Sequence, residues 1–377
     1  MATTSSPSRL LGADAVRAVA ALGVVAIHGV HWPPTGRLVG NTWALIQPDA
    51  SFWDGADRVS RFAVPAFVVI SGALLQHGYA VKPRGSAFLR RRLLRSLLPW
   101  IVWSVVFCVI GSTLTSDIAQ SRGYAAWWAN GAGHLWFLLV IPQLYVAFAV
   151  WPRRRLWLWA TVALVVQLTL GAQRLLVPLS LDSPLAQLSL WRGYLLFPYW
   201  LGYFALGIAM AGWLRSPPRS LAWIGGATVA TAMSGEVLLS LRWSFAAHPD
   251  FDQGTGGFLN PLLAPFVVSV IVLLACAGTR WLPAHPRLAR GTIIISGWSL
   301  AIYILHPALL DTVLGPLSNG FLLPGLPTSA AVDLVLIGVT TAATLALAAL
   351  LRVTPLAITL GLSQQHLGGR RTSPPPA

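Results

Sequence analysis

Ten stretches of mostly apolar residues, near 12–32, 60–79, 94–115, 134–151, 156–173, 194–213, 221–241, 259–279, 292–314 and 330–351, dominate this chain. A helix rises about 1.5 Å per residue, so roughly 20 such residues cross a hydrocarbon layer about 30 Å thick. In that layer each backbone N–H and C=O must be satisfied within the protein, and runs of this length satisfy them as helices. The expected fold is therefore an all-α integral membrane bundle of about ten transmembrane helices, one domain over 1–362, followed by a disordered tail over 363–377. Charged residues make up only 10% of the chain, against roughly a quarter in soluble domains.

The formal charge of +15 would suit nucleic acid if it covered one face. Here the arginines cluster between apolar runs, which reads as topology, and nucleic acid is not an expected partner. With a cytoplasmic N-terminus, the inside segments are 1–11, 80–93, 152–155, 214–220, 280–291 and the tail. Arg9, the six basic residues from Lys82 to Arg95, Arg153 to Arg155, Arg215, Arg219, Arg280, Arg287, Arg290, Arg352, Arg370 and Arg371 give 18 inside against seven outside. Both termini are thus expected in the cytosol and the protein in the plasma or inner membrane. A cleaved signal peptide over 9–32 is disfavoured by Arg17 and His28 within the run and by the lack of a small-x-small site. Cys108 and Cys276 each lie in an apolar run, so no disulfide framework or CxxC metal site is on offer.

Ionisable groups at bilayer depth cost a few kcal/mol each, which makes each one a functional candidate. The first run carries Asp14, Arg17 and His28. Eleven positions separate Arg17 from His28, which returns them to nearly one face about 16 Å apart along the axis; Asp14 and His31 flank that face. An interfacial Asp14–Arg17 salt bridge is the competing structural reading. Depth counting places His134, Glu236 and His306 in the same outer half as His28, and Glu236 is the one glutamate in the chain. A histidine beside a carboxylate can serve as general base toward a hydroxyl. Ser299, Tyr303 and His306 follow helical spacings of four and three and share a face, either lining a cavity or bonding helices together. No ligand spacing for a metal is present, so none is expected.

Arg90, Arg91, Arg92 and Arg95 open the third run. Four arginines before a span also satisfy topology alone, but Arg92 and Arg95, three apart, fall on one side and suit a phosphate or pyrophosphate. A buried Arg95 would want an anionic partner such as a cytosolic nucleotide cofactor.

These residues together resemble the acyltransferase-3 family of bacterial integral membrane acyltransferases. The resemblance rests on Asp14, Arg17 and His28 at the family's spacing, on Arg92-x-x-Arg95 leading to Pro99, and on the stretches His134-Leu-Trp136-Phe137, Tyr203-Phe-Ala-Leu-Gly207 and Ser299 to His306. It implies an acyl-CoA donor, acetyl-CoA foremost, bound from the cytosol by Arg91, Arg92 and Arg95. It implies a catalytic His28, with Arg17 orienting donor or intermediate; Asp14, Glu236 and His306 join them as catalytic candidates from their depth and helix face. A carbohydrate or glycosylated acceptor hydroxyl would meet His31, His134, Trp136, Ser299 and Tyr303. Many members carry a soluble hydrolase-like domain after the bundle; none follows here, so the bundle or a separate protein is expected to complete the reaction. The alternative from another class is a transporter or flippase of a polar or anionic substrate, which would also need charged residues along its path. No internal repeat supports it.

Overall fold

The computed structural model describes residues 10–30, 50–81, 86–114, 128, 131–176, 193–240, 254–310 and 330–362. Every element among them is helical: α1 (Leu11–Val30), α2 (Ala50–Ser60), α3 (Ala63–Val81), α4 (Ser86–Leu114), α5 (Phe137–Ala149), α6 (Leu156–Leu176), α7 (Leu201–Arg215), α8 (Leu221–Ser240), α9 (Leu263–Trp281), α10 (Pro286–Gly297), α11 (Ser299–Leu309) and α12 (Ala330–Leu351), with short 3-10 turns between. Each apolar run of the sequence is mostly helical over its described part. Among the described residues, five stretches are long and apolar enough to cross a membrane: Leu11–His28, Gly55–Tyr79, Ser86–Val109, Leu221–Leu239 and Leu263–Ala284. The pair α10 and α11 makes a sixth if taken as one broken span, and Gly133–Ala149, Leu156–Ala172, Leu201–Arg215 and Ile337–Leu351 are apolar but shorter.

Two breaks matter for the site. Pro65 lacks the N–H that would bond the Arg61 carbonyl, and its ring crowds that carbonyl, so the ladder lapses at Arg61 and Phe62 between α2 and α3. Helix α2 lies where the sequence reading placed an outside loop. The second break, at Trp298, bends α10 against α11 by 74°, whereas the sequence reading had one continuous span over 292–314. Gly297 ends α10 and Trp298 sits in the sparsely populated bridge region at φ −103°, ψ 10°.

Helix α1 is the hub, packing against α2, α3, α9, α10, α11 and α12. Its buried face of Val16, Ala20, Ala21, Val24 and Val25 is made of small side chains, so neighbouring backbones approach closely, as membrane helices do without a water-driven force between them. Close approach is greatest where α3 crosses α7: a Cβ on Gly207 would lie 2.7 Å from the Val69 carbonyl carbon, and one on Gly72 would meet the Phe204 carbonyl. The outward faces are apolar. On α4, Leu94, Leu98, Ile101, Val105 and Val109 form one exposed stripe, and on α8 Val229, Met233 and Val237 do the same. A surface of that kind suits lipid tails and would be an aggregation hazard in water.

Candidate active site

Three imidazoles from three separate parts of the chain converge. The ring centroids of His28 and His306 are 5.0 Å apart, those of His134 and His306 5.8 Å, and those of His28 and His134 6.4 Å. Helix α1 delivers His28 from its last turn, α11 delivers His306, and the 3-10 turn Gly133–Trp136 delivers His134.

Each supporting ring is fixed by local backbone chemistry. Pro307 cannot donate to the Tyr303 carbonyl, and the His306 ring lies against that loosened turn, donating Nδ1–H to the Ile302 carbonyl at 2.8 Å. In the neutral ring this leaves Nε2 as the lone-pair nitrogen. His306 is wholly buried, and its Nε2 has no hydrogen-bond partner among the described residues. His134 donates Nε2–H to the Ile304 carbonyl at 3.1 Å, which leaves Nδ1 bare. Its position comes from three consecutive left-handed residues, Gly131 (φ 90°), Ala132 (φ 62°) and Gly133 (φ 62°). Trp100 Nε1 donates to the Gly131 carbonyl at 3.1 Å and holds that turn against α4. The Tyr303 hydroxyl donates to the His134 carbonyl in a short bond, and Phe107 covers the His134 ring at 5.1 Å. His28 and His134 are half-buried, so they are the rings a substrate can reach. Among the described residues no group of three or more His, Cys, Asp or Glu is arranged to hold a metal ion.

Near the other end of α1, Asp14 and Arg17 bind the two sides of the Trp298 break. The Ser296 hydroxyl donates to Asp14 Oδ1 at 2.6 Å and Arg17 Nη2 donates to Ser299 Oγ at 3.1 Å. Asp14, Ser296 and Ser299 are buried. These polar groups thus hold the bent pair on α1, and the bend aims α11 so that His306 meets His28. Ser299 and Tyr303 both lie in α11 as the spacing predicts, with Ser299 on Arg17 and Tyr303 on His134.

The four arginines of α4 divide. Arg92 is half-buried; its guanidinium lies 5.4 Å from the Phe88 ring centroid and approaches the Tyr145 hydroxyl of α5, with Arg17 also within electrostatic range of that hydroxyl. Arg90, Arg91 and Arg95 are exposed. The expected burial of Arg95 does not occur, because helical phase places it with Arg91 on the side of the outward stripe of Leu94 and Leu98. Near the same end, Arg153 is clamped between Tyr79 and Phe148, its Cζ 4.2 Å from each ring centroid.

Other expected residues fall elsewhere. Glu236 is exposed on α8, a helix that packs on α9 and α2, and does not join the histidines. Trp136 is buried among Tyr194, Trp200 and Phe258. His31 and the tail 363–377 lie outside the described residues. Sequence reasoning passed over Tyr145, Arg153 and the buried group of Asp57, Arg58 and Arg61, where Arg61 Nη2 lies 2.5 Å from Asp57 Oδ2. Arg58 and Arg61 read as outside topological charges; their spacing of one and four from Asp57 was the available signal.

The acyltransferase-3 family model, described as an acyltransferase domain, matches residues 10–353. No curated protein and no solved structure matches the chain. The match takes in the whole of α1, with Asp14, Arg17 and His28, and both halves of the broken pair that carries Ser299, Tyr303 and His306. By this match the chain belongs to the acyltransferase-3 family, as a helical, multi-pass membrane acyltransferase.

Proposed function

We propose that the protein transfers an acyl group, acetyl foremost, from acyl-CoA to a hydroxyl of a carbohydrate or glycosylated small molecule. In this reading ten helical spans cross the plasma or inner membrane, with both termini and the arginine-rich end in the cytosol. The observation that carries the reading is the convergence of His28, His134 and His306 at one end of α1, with Arg17, Arg92 and Tyr145 near the other. Cationic groups at the arginine-rich end suit the phosphates of a soluble nucleotide thioester, and an imidazole cluster suits a proton transfer.

His28, half-accessible, takes the proton of the acceptor hydroxyl as its oxygen attacks the thioester carbonyl. The C–O bond forms, the C–S bond breaks, and the imidazolium returns its proton to the departing CoA sulfur, giving an ester and free CoA. A centroid separation of 5.0 Å is one at which two imidazoles can share an N–H···N bond of about 2.9 Å. His306 Nε2, without a partner among the described residues, accepts from His28 once the half-accessible His28 ring turns toward it, which leaves the other His28 nitrogen for the substrate, the positioning role of the third member of a triad. Arg17, tied to Ser299, orients the donor as it passes.

The test is release of CoA thiol from acetyl-CoA and longer acyl-CoAs by purified protein in nanodiscs, with polysaccharide and glycoside acceptors. Acceptor-dependent release that His28→Ala lowers by about a hundredfold or more supports the reading. Full-rate release by a well-folded His28→Ala protein ends it.

A further inference from the structure

A cavity lies between the ends of α3 and α5 and the start of α4. It has a volume of about 470 Å³ and walls that include Tyr79, Phe88, Tyr145, Phe148, Trp151 and Arg153, a size in the usual range for small-molecule sites. Three observations give it a chemistry. The Arg153 guanidinium is immobilised between two aromatic rings and donates to the Phe148 carbonyl at 2.8 Å and to Gln76 Oε1 at 3.5 Å. That uses two of its five N–H donors and pairs it with no carboxylate among the described residues, so a fixed positive charge with donors to spare stands at the wall. Trp151 keeps a buried indole N–H without an acceptor among the described residues. Tyr145 is both a wall of this cavity and the neighbour of Arg92 and Arg17, so one wall of the cavity is shared with the polar groups that lead along α1.

We propose that this cavity holds the nucleotide end of the acyl-CoA donor, with Arg153 as a phosphate contact and the aromatic walls against the adenine. The proposal rests on the reading that the donor is an acyl-CoA. A planar base stacks on aromatic faces regardless of sequence context, and a guanidinium held in place before binding makes directed bonds to phosphate with little further ordering. The arm carrying the thioester then runs past Tyr145 and Arg92 toward Arg17 and His28. Arg153 stands alongside Arg92 in donor binding and takes the part the sequence reading gave to Arg95.

The experiment is calorimetric titration of the full-length protein in nanodiscs with acetyl-CoA, 3′,5′-ADP and acetyl-pantetheine. Arg153→Ala is expected to raise Kd for acetyl-CoA and 3′,5′-ADP by about tenfold or more and to leave acetyl-pantetheine unchanged, with Arg153→Lys intermediate because it keeps charge and loses the fork. Amide exchange of the unaltered protein supplies a readout that needs no variant: 3′,5′-ADP is expected to slow exchange over 145–155. If acetyl-CoA binds wild type and Arg153→Ala equally and protection falls elsewhere, the cavity assignment is overturned while the donor reading stands. If no CoA species binds wild type, both fall. If 3′,5′-ADP binding vanishes when anionic lipid replaces neutral lipid in the nanodisc, the cavity is a lipid headgroup site and the assignment is overturned.

Discussion

Substituting Gly207 by alanine adds one methyl group, and the structure says where it goes. The new Cβ lies 2.7 Å from the Val69 carbonyl carbon and 3.0 Å from Val69 Cα, against an ordinary carbon–carbon contact of about 3.5–4.0 Å. The Val69 carbonyl oxygen lies closer still; the obstacle is the backbone of α3, which cannot rotate away as a side chain would, so α3 and α7 must part by more than about 1 Å. Overpacking of this kind costs typically 1–3 kcal/mol, and a rigid backbone obstacle places this case near the upper end, at about 3 kcal/mol. For a chain of 377 residues that is a fall in Tm of roughly 4 °C, read by intrinsic tryptophan fluorescence in detergent. Gly226→Ala is the matched control, because a Cβ there meets nothing within 4 Å and alanine is the better helix former by about 1 kcal/mol. Equal melting temperatures for Gly207→Ala and Gly226→Ala would refute the crossing geometry of α3 and α7.

Further outcomes follow from particular contacts. Gly131→Ala puts a Cβ 2.6 Å from that of Trp136 at a φ of 90°, so it should lower Tm and displace His134, with turnover falling by about tenfold or more. Arg17→Lys keeps the charge but loses the Nη2 bond to Ser299 and the planar guanidinium, and is expected to reduce turnover about tenfold with donor affinity little changed, checked by the split between kcat and KM. Arg92→Ala should weaken donor binding far more than Arg95→Ala, by about tenfold against less than about twofold, in the same calorimetric titration. Glu236→Gln should leave turnover within about twofold of wild type, as for surface changes elsewhere.

The ten apolar runs were readable because length and apolarity alone dictate helix in lipid, and the shared depth of His28, His134 and His306 was readable by counting along their runs, although the same count included Glu236, which does not join them. What could not be read was rotation about each helix axis. Helix α8 is apolar on every side, so nothing in its sequence distinguishes the face on α9 from the face carrying Glu236. The same ambiguity hid the outward turn of Arg95 and the inward turn of Arg92. Pro65 signalled the break before α3, whereas the bend at Trp298 has only Gly297 as a local cue and depends on Asp14 and Arg17, some 280 positions away in sequence. Arg153 read as topology because its aromatic clamp is assembled from Tyr79 on α3 and Phe148 on α5.

The account holds that donor capture and chemistry occupy opposite ends of α1. The most direct measurement follows binding and turnover of radiolabelled acetyl-CoA in one nanodisc preparation of wild type, Arg92→Ala and His28→Ala. The account predicts that Arg92→Ala loses binding, and that His28→Ala binds as wild type does and fails to turn over. An His28→Ala protein that loses binding in step with Arg92→Ala, or one that turns over at the wild-type rate, would contradict it.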